Sequence, residues 1–578
     1  MALNTIEAPY IVADIGFQGP GTGITGLLTS NFNYTAPFTG AVQRTVTSKL
    51  ADVVSVMDFG ADPTGTNDST TAIQNAINAA QGSSLLVPSG TYLISGTLLV
   101  SGPISILGEG ISNTVLLKKT GSSGHILDAL STTLKTDILI QDISFNVNSV
   151  DSGIGVQYVQ RFTVNRCQFL NIVHWGIWVG DTVGTESTIR NDTILITDCS
   201  FYNSSSTYEQ LLVFNSQNVT IRDCWFSTGS NAIGIGVYQN LNDVLVQRCK
   251  FTGGLNTGVY YSQSCNNIKF DYCTWDGCIS GLKGANQSDH GAFGFTVVRN
   301  LTVSHCTFTN CTGVPCQIGA VEGAIIEGCV FDSNVQMGCV INNGNTPVSY
   351  MPFNIVFKGC TFRNNNTAGG AVLSSPGVEF AGVGGSQFAL FSGCNFIDDS
   401  GNNYQAYPVV FNGAFTWSNV IFQGCNLNAY AGAYSVGQVG GATFGSGVFI
   451  TPDCQNISAN LPTLGTMFYP NAWASKWYQL TYSSSVTIDS RIANAFKLRA
   501  TDANALTINA PTNPTIGQRF ALTIENLSSG AMGTITWNAI FKMSAWTNPA
   551  NGNGRTIDFQ WNGGNWVQVS QTGVDVPL

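Results

Sequence analysis

The chain has 578 residues, of which 23 are basic and 33 acidic, so its net charge is −10 and only 10% of its residues are charged. With no basic cluster, sequence-independent binding to nucleic acid or to an anionic membrane surface is disfavoured. No apolar run reaches the roughly twenty residues of a membrane span.

Residues 1 to about 50 are rich in Gly, Thr and Asn and fit no regular period. The opening MALNTIEAPYIVADIG lacks a basic n-region and an unbroken apolar core, so no signal peptide is expected and synthesis in a reducing cytoplasm is. A boundary falls at AVQRTVTSKLADVVSV. The stretch VMDFGADPTGTNDSTTAIQNAINAA follows. Asp68 to Thr71 offer cap residues, and Ala72, Ile73, Ala76, Ile77 and Ala80 share one helical face. Such a helix would cover an open sheet end. LLVPSGTYLISGTLLVSGPISILGEG then supplies the first strands.

From there one phrase recurs ten times: alternating apolar residues, a two-residue bend, cysteine, any residue, an aromatic. It reads FTVNRCQF, ILITDCSF, VTIRDCWF, VLVQRCKF, IKFDYCTW, LTVSHCTF, AIIEGCVF, IVFKGCTF and ALFSGCNF, and closes with leucine in VIFQGCNL. The cysteines are Cys167, Cys199, Cys224, Cys249, Cys273, Cys306, Cys329, Cys360, Cys394 and Cys425, spaced 23 to 34 residues apart. A period of that size marks a solenoid, and the two-residue alternation makes each unit strands and turns rather than helix. The expected fold is all-β, a right-handed parallel β-helix over residues 51–455. Cysteine and aromatic should form internal ladders with coils about 4.8 Å apart. Sixteen cysteines are then mostly small core fillers rather than disulfide partners or metal ligands. No metal or other cofactor is expected.

After Cys454 the phrase stops. AFKLRA, ALTINAP, RFALTIEN, GTITWNAIFK and RTIDFQWNGGNWVQV predict a C-terminal antiparallel β-sandwich over 456–578, with a hairpin between Trp561 and Trp566.

VSVMDFGADPTGTNDSTTAIQNAINAA with VPSGTYLISGTLLVSGPISILGEG resembles the start of pectate-lyase-like β-helices in phage tailspikes, and the whole arrangement is similar to capsule depolymerases of tailed phages. The resemblance implies a homotrimer on the virion tail that binds and cuts a bacterial capsular polysaccharide. Residues 1–50 would join it to the phage tail or another tail fibre protein. It would be made in the host cytoplasm and released by lysis. Polygalacturonases share the opening, yet their Asn-Thr-Asp, Asp-Asp, Gly-His-Gly and Arg-Ile-Lys set is not found in order. The nearest piece is Asp289-His290-Gly291, so no catalytic role transfers.

The frame itself gives candidates. Four residues before each cysteine lies an outward position, and its last four members, Ile325, Val356, Leu390 and Ile421, form an apolar stripe suited to a threefold contact. Three residues after the cysteines, Asp276 and Asp332 occupy equivalent places two coils apart, with Thr309 between. Two rises put their backbones about 10 Å apart, compatible with the ~6.5–9.5 Å carboxyl separation of an inverting glycosidase. Asp289, Glu322 and Glu327 crowd the same coils and are further catalytic candidates, while Arg299 and Glu322 share a position and could pair. Asp271 and Glu327 bracket Ser304, and adjacent-coil Asp198 and Asp223 would have a retaining separation. Trp178, Trp225 and Tyr260 could stack on sugar rings, with Arg299 as a polar contact. Longer coils at about 180–192, 281–290, 343–352 and 398–408 could wall a groove. The expected reaction is endo-glycosidic hydrolysis by two carboxylates. A polysaccharide lyase working by β-elimination, with Lys250, Lys269, Lys283, Arg299 or Arg363 as its cation, and a non-catalytic glycan-binding receptor fibre are the alternatives.

Overall fold

The computed structural model describes residues 32–578 except 131–132, 181–189, 205–207, 228–231, 263–264, 285–297, 320, 343–352, 369–375, 382–387, 403, 406, 414–415, 418, 429–434, 440–441, 445–447, 452, 457–466, 469–476, 491–492 and 515. Between its two ends the solenoid contributes one strand per coil to each of three parallel sheets. A seven-residue strand such as Leu241–Gln247 enters the first sheet. The chain bends at the cysteine, and a three-residue strand such as Lys250–Thr252 enters the second. A strand such as Thr257–Tyr261 enters the third before the next coil starts. Successive strands within a sheet pair in parallel without slippage through the repeated coils. The right-handed parallel β-helix expected from the repeat is the fold.

The bend has a fixed conformation. The residue before the cysteine is left-handed in every repeat: Arg166, Asp198, Asp223, Arg248, Tyr272 and His305 have φ of 48–56°, and glycine takes over at Gly328, Gly359, Gly393 and Gly424. A side chain there costs about 1 kcal/mol or more. The coil repays it by pairing backbone groups on both sides: Asp223 N donates to Gln247 O on the next coil, and Trp225 N donates to Cys199 O on the previous one.

Inside the bend the two ladders stand as the repeat requires. Phe145, Phe169, Phe201, Phe226, Phe251, Trp275, Phe308, Phe331, Phe362 and Phe396 stack with centroids 4.4–5.2 Å apart and rings within 10° of parallel. All sixteen cysteines are buried and free. Burial pushes the Cys167 and Cys265 thiols up to about 12, so they are unreactive core residues.

The helix expected near residue 70 spans Thr70–Ala79 and buries Ile73, Ala76 and Ile77 against the first coils. Asp68 Oδ1 receives both the Thr70 amide (3.0 Å) and its hydroxyl (2.6 Å), fixing the helix entry. Among the described residues no helix is long and apolar enough to cross a membrane.

The C-terminal region departs from the expected antiparallel sandwich. Its first strands repeat the solenoid principle: Trp477–Leu480, Ala495–Ala500 and Arg519–Asn526 pair in parallel, as do Ser485–Val486, Leu506–Ile508 and Ile535–Trp537. Among the described residues of this region, Asn553–Trp561 is the strand that pairs antiparallel with its neighbours, and there Trp561 faces Trp566 across the hairpin as expected. Alternation specifies which face a residue takes but not the direction of its neighbour, and the connections are long enough for either. Both sheets share one core around Phe496, Leu498, Phe520, Ile557 and Trp566.

Candidate functional site

A three-residue strand whose middle residue points inward must aim its flanking residues out. With Trp275, Phe308 and Phe331 in the core, Asp276, Thr309 and Asp332 stand in line on the outer face of the second sheet, followed by Arg363. Asp276 accepts from Thr309 Oγ1 (3.2 Å) and Asn310 Nδ2 (2.8 Å), both neutral donors. Asp332 accepts from Ser333 Oγ (2.9 Å) and lies 3.8 Å from Arg363 Nη1. That arginine is also engaged by Asp399 at 3.0 Å.

Of the remaining middle-coil acids, Asp271, Glu322 and Glu327 sit on the first sheet, each with a partner. Arg299 Nε donates to Glu322 at 3.0 Å, so the pairing foreseen for these two residues is present. Lys358 Nζ reaches Glu327 at 2.7 Å and holds its carboxyl below the usual range. Asp271 is mostly buried. Burial pushes its carboxyl up, but hydrogen bonds from Ser304 Oγ (2.6 Å) and Gln247 Nε2 (2.9 Å), aided by Lys269 and His305, outweigh that and keep it low. Asp223 is bound by Arg248 at 2.7 Å. Asp289 and most of the longer loops expected to wall a groove, at 181–189, 285–297 and 343–352, lie outside the described residues.

Trp225 is 43% exposed on the second sheet, with Tyr202 edge-on at 5.2 Å and Lys250 Nζ 6.0 Å from its ring. Trp178 and Tyr260 belong to the third sheet, on one outward ladder running Asp128, Gly155, Trp178, Leu212, Gly236, Tyr260, Lys283, Gln317, Val340, Glu379. Tyr260 is only 4% exposed, covered with Leu212, Phe214 and Tyr238 in a small apolar cluster outside the sheet. Its ring face is therefore not open for stacking in the single chain.

Two buried carboxylates on this sheet escaped the sequence reading. Glu209 accepts from Tyr238 Oη and from Trp175 Nε1 (3.2 Å). Glu379 stands between Val340 and Val410, accepts from Asn412 Nδ2 (2.8 Å), and has its carboxyl pushed up by burial. The only signal was an acid among aromatics and aliphatics in YEQLLVF and GVEF. Among the described residues no three His, Cys, Asp or Glu side chains are grouped to hold a metal. An open hollow of about 470 Å³ in the C-terminal region, lined by Ile516, Trp561 and Gln568 among others, includes no acid or base.

Comparison with known proteins agrees with this architecture. Residues 53–283 match the family described as rhamnogalacturonase A/epimerase, pectate lyase-like. No curated protein matches the chain. The N-terminal fragment of gene product 12 of bacteriophage phi29 is 13% identical, with a TM-score of 0.52 over 78% of this chain and 80% of that one. The pre-mature form of the same gene product is 14% identical, with a TM-score of 0.50 over 79% and 65%. Tailspike protein 3 of bacteriophage CBA120 is 14% identical over 95% and 74%, with a TM-score of 0.45. At these identities the phi29 likeness establishes a shared fold.

Proposed function

We propose that this chain is a phage tailspike that binds and depolymerises bacterial capsular polysaccharide by endo-glycosidic hydrolysis. The observation that carries the reading is the line Asp276, Thr309, Asp332 on an open face of a rigid solenoid. Two coil rises separate the acids by about 10 Å of backbone, which leaves room for a sugar and a water between their carboxyls. Asp276, held by neutral donors, would protonate the leaving glycosidic oxygen. Asp332, beside the Arg363 guanidinium, would take a proton from the attacking water. Exposed Trp225 on the same sheet would stack on a neighbouring ring.

Family and fold support the class. The matching family description names a rhamnogalacturonase and an epimerase, and the fold is shared with a phage gene product. The protein would act on the virion tail, with residues 1–50 as attachment segment, 51–455 as the working solenoid and 456–578 as a trimerisation or carbohydrate-binding region. Ile325, Val356, Leu390 and Ile421, in register on the first sheet, would form the threefold contact of a homotrimer.

A second reading is β-elimination. Lys250 beside Trp225 is a cation on the same face and could hold a uronate carboxylate. Digestion of purified capsules from a serotype panel, with mass spectrometry and ultraviolet absorbance of the products, separates the readings. Saturated oligosaccharides are expected. Unsaturated uronate ends would indicate the lyase, and binding without products a receptor fibre. Neither binding nor cleavage of any capsule would overturn the proposal.

A further inference from the structure

The outer face of the third sheet carries a second constellation, distant in sequence from the middle-coil acids. Trp175, Trp178 and Tyr208 pack against one another, with Trp175 tilted to Trp178 at 6.3 Å and edge-on to Tyr208 at 5.5 Å. Tyr208 is 45% exposed, and both indoles are half-buried, so the group presents ring surface to solvent. His174 meets Tyr208 edge-on at 5.2 Å and hydrogen-bonds Asp151 through Nδ1 at 2.9 Å. On the other side of Trp178, His125 stacks at 6.1 Å and pairs with Asp128.

Beneath the rings lies Glu209, 7% exposed. Burying a carboxylate in such company costs free energy unless donors hold it. Here the donors are the polar tips of the aromatic residues themselves, Trp175 Nε1 and Tyr238 Oη. One acid therefore fixes the orientation of two rings, which simple apolar packing would not require. Backbone space is shaped to match. A Cβ at Gly155 would overlap His125 and Asp128, and one at Gly236 would overlap Glu209 Cγ, so both side-chain groups lie directly over glycine. The outcome is a pre-set aromatic shelf with carboxylates at its rim.

That combination fits a pyranose. The C–H face of the ring lies on indole and phenol, and equatorial hydroxyls donate to carboxylate oxygens such as those of Asp151 and Asp128. It disfavours an acidic sugar, because the three carboxylates Asp128, Asp151 and Glu209 outnumber the two buried lysines beside them, Lys118 and Lys135. Lys283, the lysine on the same outward ladder, is engaged over the Tyr260 ring at 5.6 Å. Resting on the glycan reading above, we infer that this shelf binds one neutral pyranose ring of the polysaccharide chain. Glu209 is its positioning residue, and Trp175, Trp178 and Tyr208 form its floor.

The test uses the full-length protein on the capsule it cleaves in the serotype panel, with the oligosaccharides it releases as probes. Tyr208→Ala removes an exposed ring, and Glu209→Gln keeps shape while replacing one acceptor oxygen by a donor nitrogen. Both should raise KM by about tenfold or more with kcat within about threefold, the mark of lost ground-state binding. Melting temperature and assembly mass should hold for Tyr208→Ala, which separates a binding role from a folding one. If the wild type binds without cutting, Kd takes the place of KM. Wild-type cleavage with KM unmoved in Tyr208→Ala overturns the shelf and leaves the capsule reading standing. So does a fall in assembly mass, which would make the shelf a subunit contact. A capsule composed wholly of uronates, cleaved with a KM that depends on Tyr208, overturns the sugar class. A wild type that neither binds nor cuts any capsule overturns shelf and function together.

Discussion

Asp276 and Asp332 occupy the same outward ladder, yet one is held by a threonine and an asparagine and the other stands beside an arginine. Changing either to asparagine keeps volume and most hydrogen bonds but ends proton transfer. kcat on capsule should fall by about 10²–10⁴ for each, with capsule binding and melting temperature unchanged. Full kcat in both variants would remove the pair from the chemistry. Glu379 gives a prediction of a different kind. Burial raises its folded pKa above the unfolded one, so the folded state holds the proton more tightly. Its contribution to stability is complete below the unfolded pKa and is lost as pH rises through the folded value. Glu379→Gln should therefore melt higher than wild type near neutral pH and lose that advantage in mild acid. An advantage that persists unchanged at acid pH would show that the burial cost is not the cause. Neither Glu379 nor Glu209 could be read as buried from the sequence. The third strand of each coil follows insertions of varying length, so its residues could not be counted into register from the cysteines.

At the scale of the coil, the cysteine phrase was legible because it encodes three things in eight residues: an inward pair, a left-handed bend and an aromatic knob. The bend before Cys273 and Cys306 is occupied by Tyr272 and His305, of which the tyrosine is not an easy left-handed residue, and their rings stack at 4.7 Å. Coil pairing thus overrides local preference. What the phrase does not show is how tightly the third sheet approaches the aromatic ladder. A Cβ at Gly258 would overlap Trp275 Cδ1 and come within 2.9 Å of Gly281 O, a backbone atom that cannot swing away. Gly258→Ala should cost about 1–3 kcal/mol through overpacking, seen as a lower denaturation midpoint. The matched control is Gly530→Ala, where nothing lies within 4 Å. Equal midpoints would mean the sheets relax apart more easily than the stacked rings suggest.

Across the whole molecule, the first sheet turns a stack of apolar residues outward. Ile325 is 45% exposed and is followed in register by Val356, Leu390 and Ile421. Replacing Val356 and Leu390 together with aspartate would bury like charges at a threefold contact, at a cost of several kcal/mol if the stripe is the interface. Light scattering should then show a lower mass, and the melting temperature should fall. An unchanged trimer would move the contact to another face, and a wild-type monomer would end the trimer proposal.

The sequence by itself determined the coil: its period, the in-out alternation of its first two strands, the covering helix at Thr70–Ala79 and the burial of the cysteines. Those features are local, since the pleat repeats every two residues and each phrase carries its own bend. It also placed Asp276 and Asp332 on one ladder, because both are counted from a cysteine. Only the tertiary structure decided what each side chain meets. Trp175 and Tyr238 enclose Glu209 from neighbouring coils, and the C-terminal strands choose parallel partners before turning back. Each of these contacts depends on how far insertions offset one coil from the next, a quantity that alternation along a single strand does not contain.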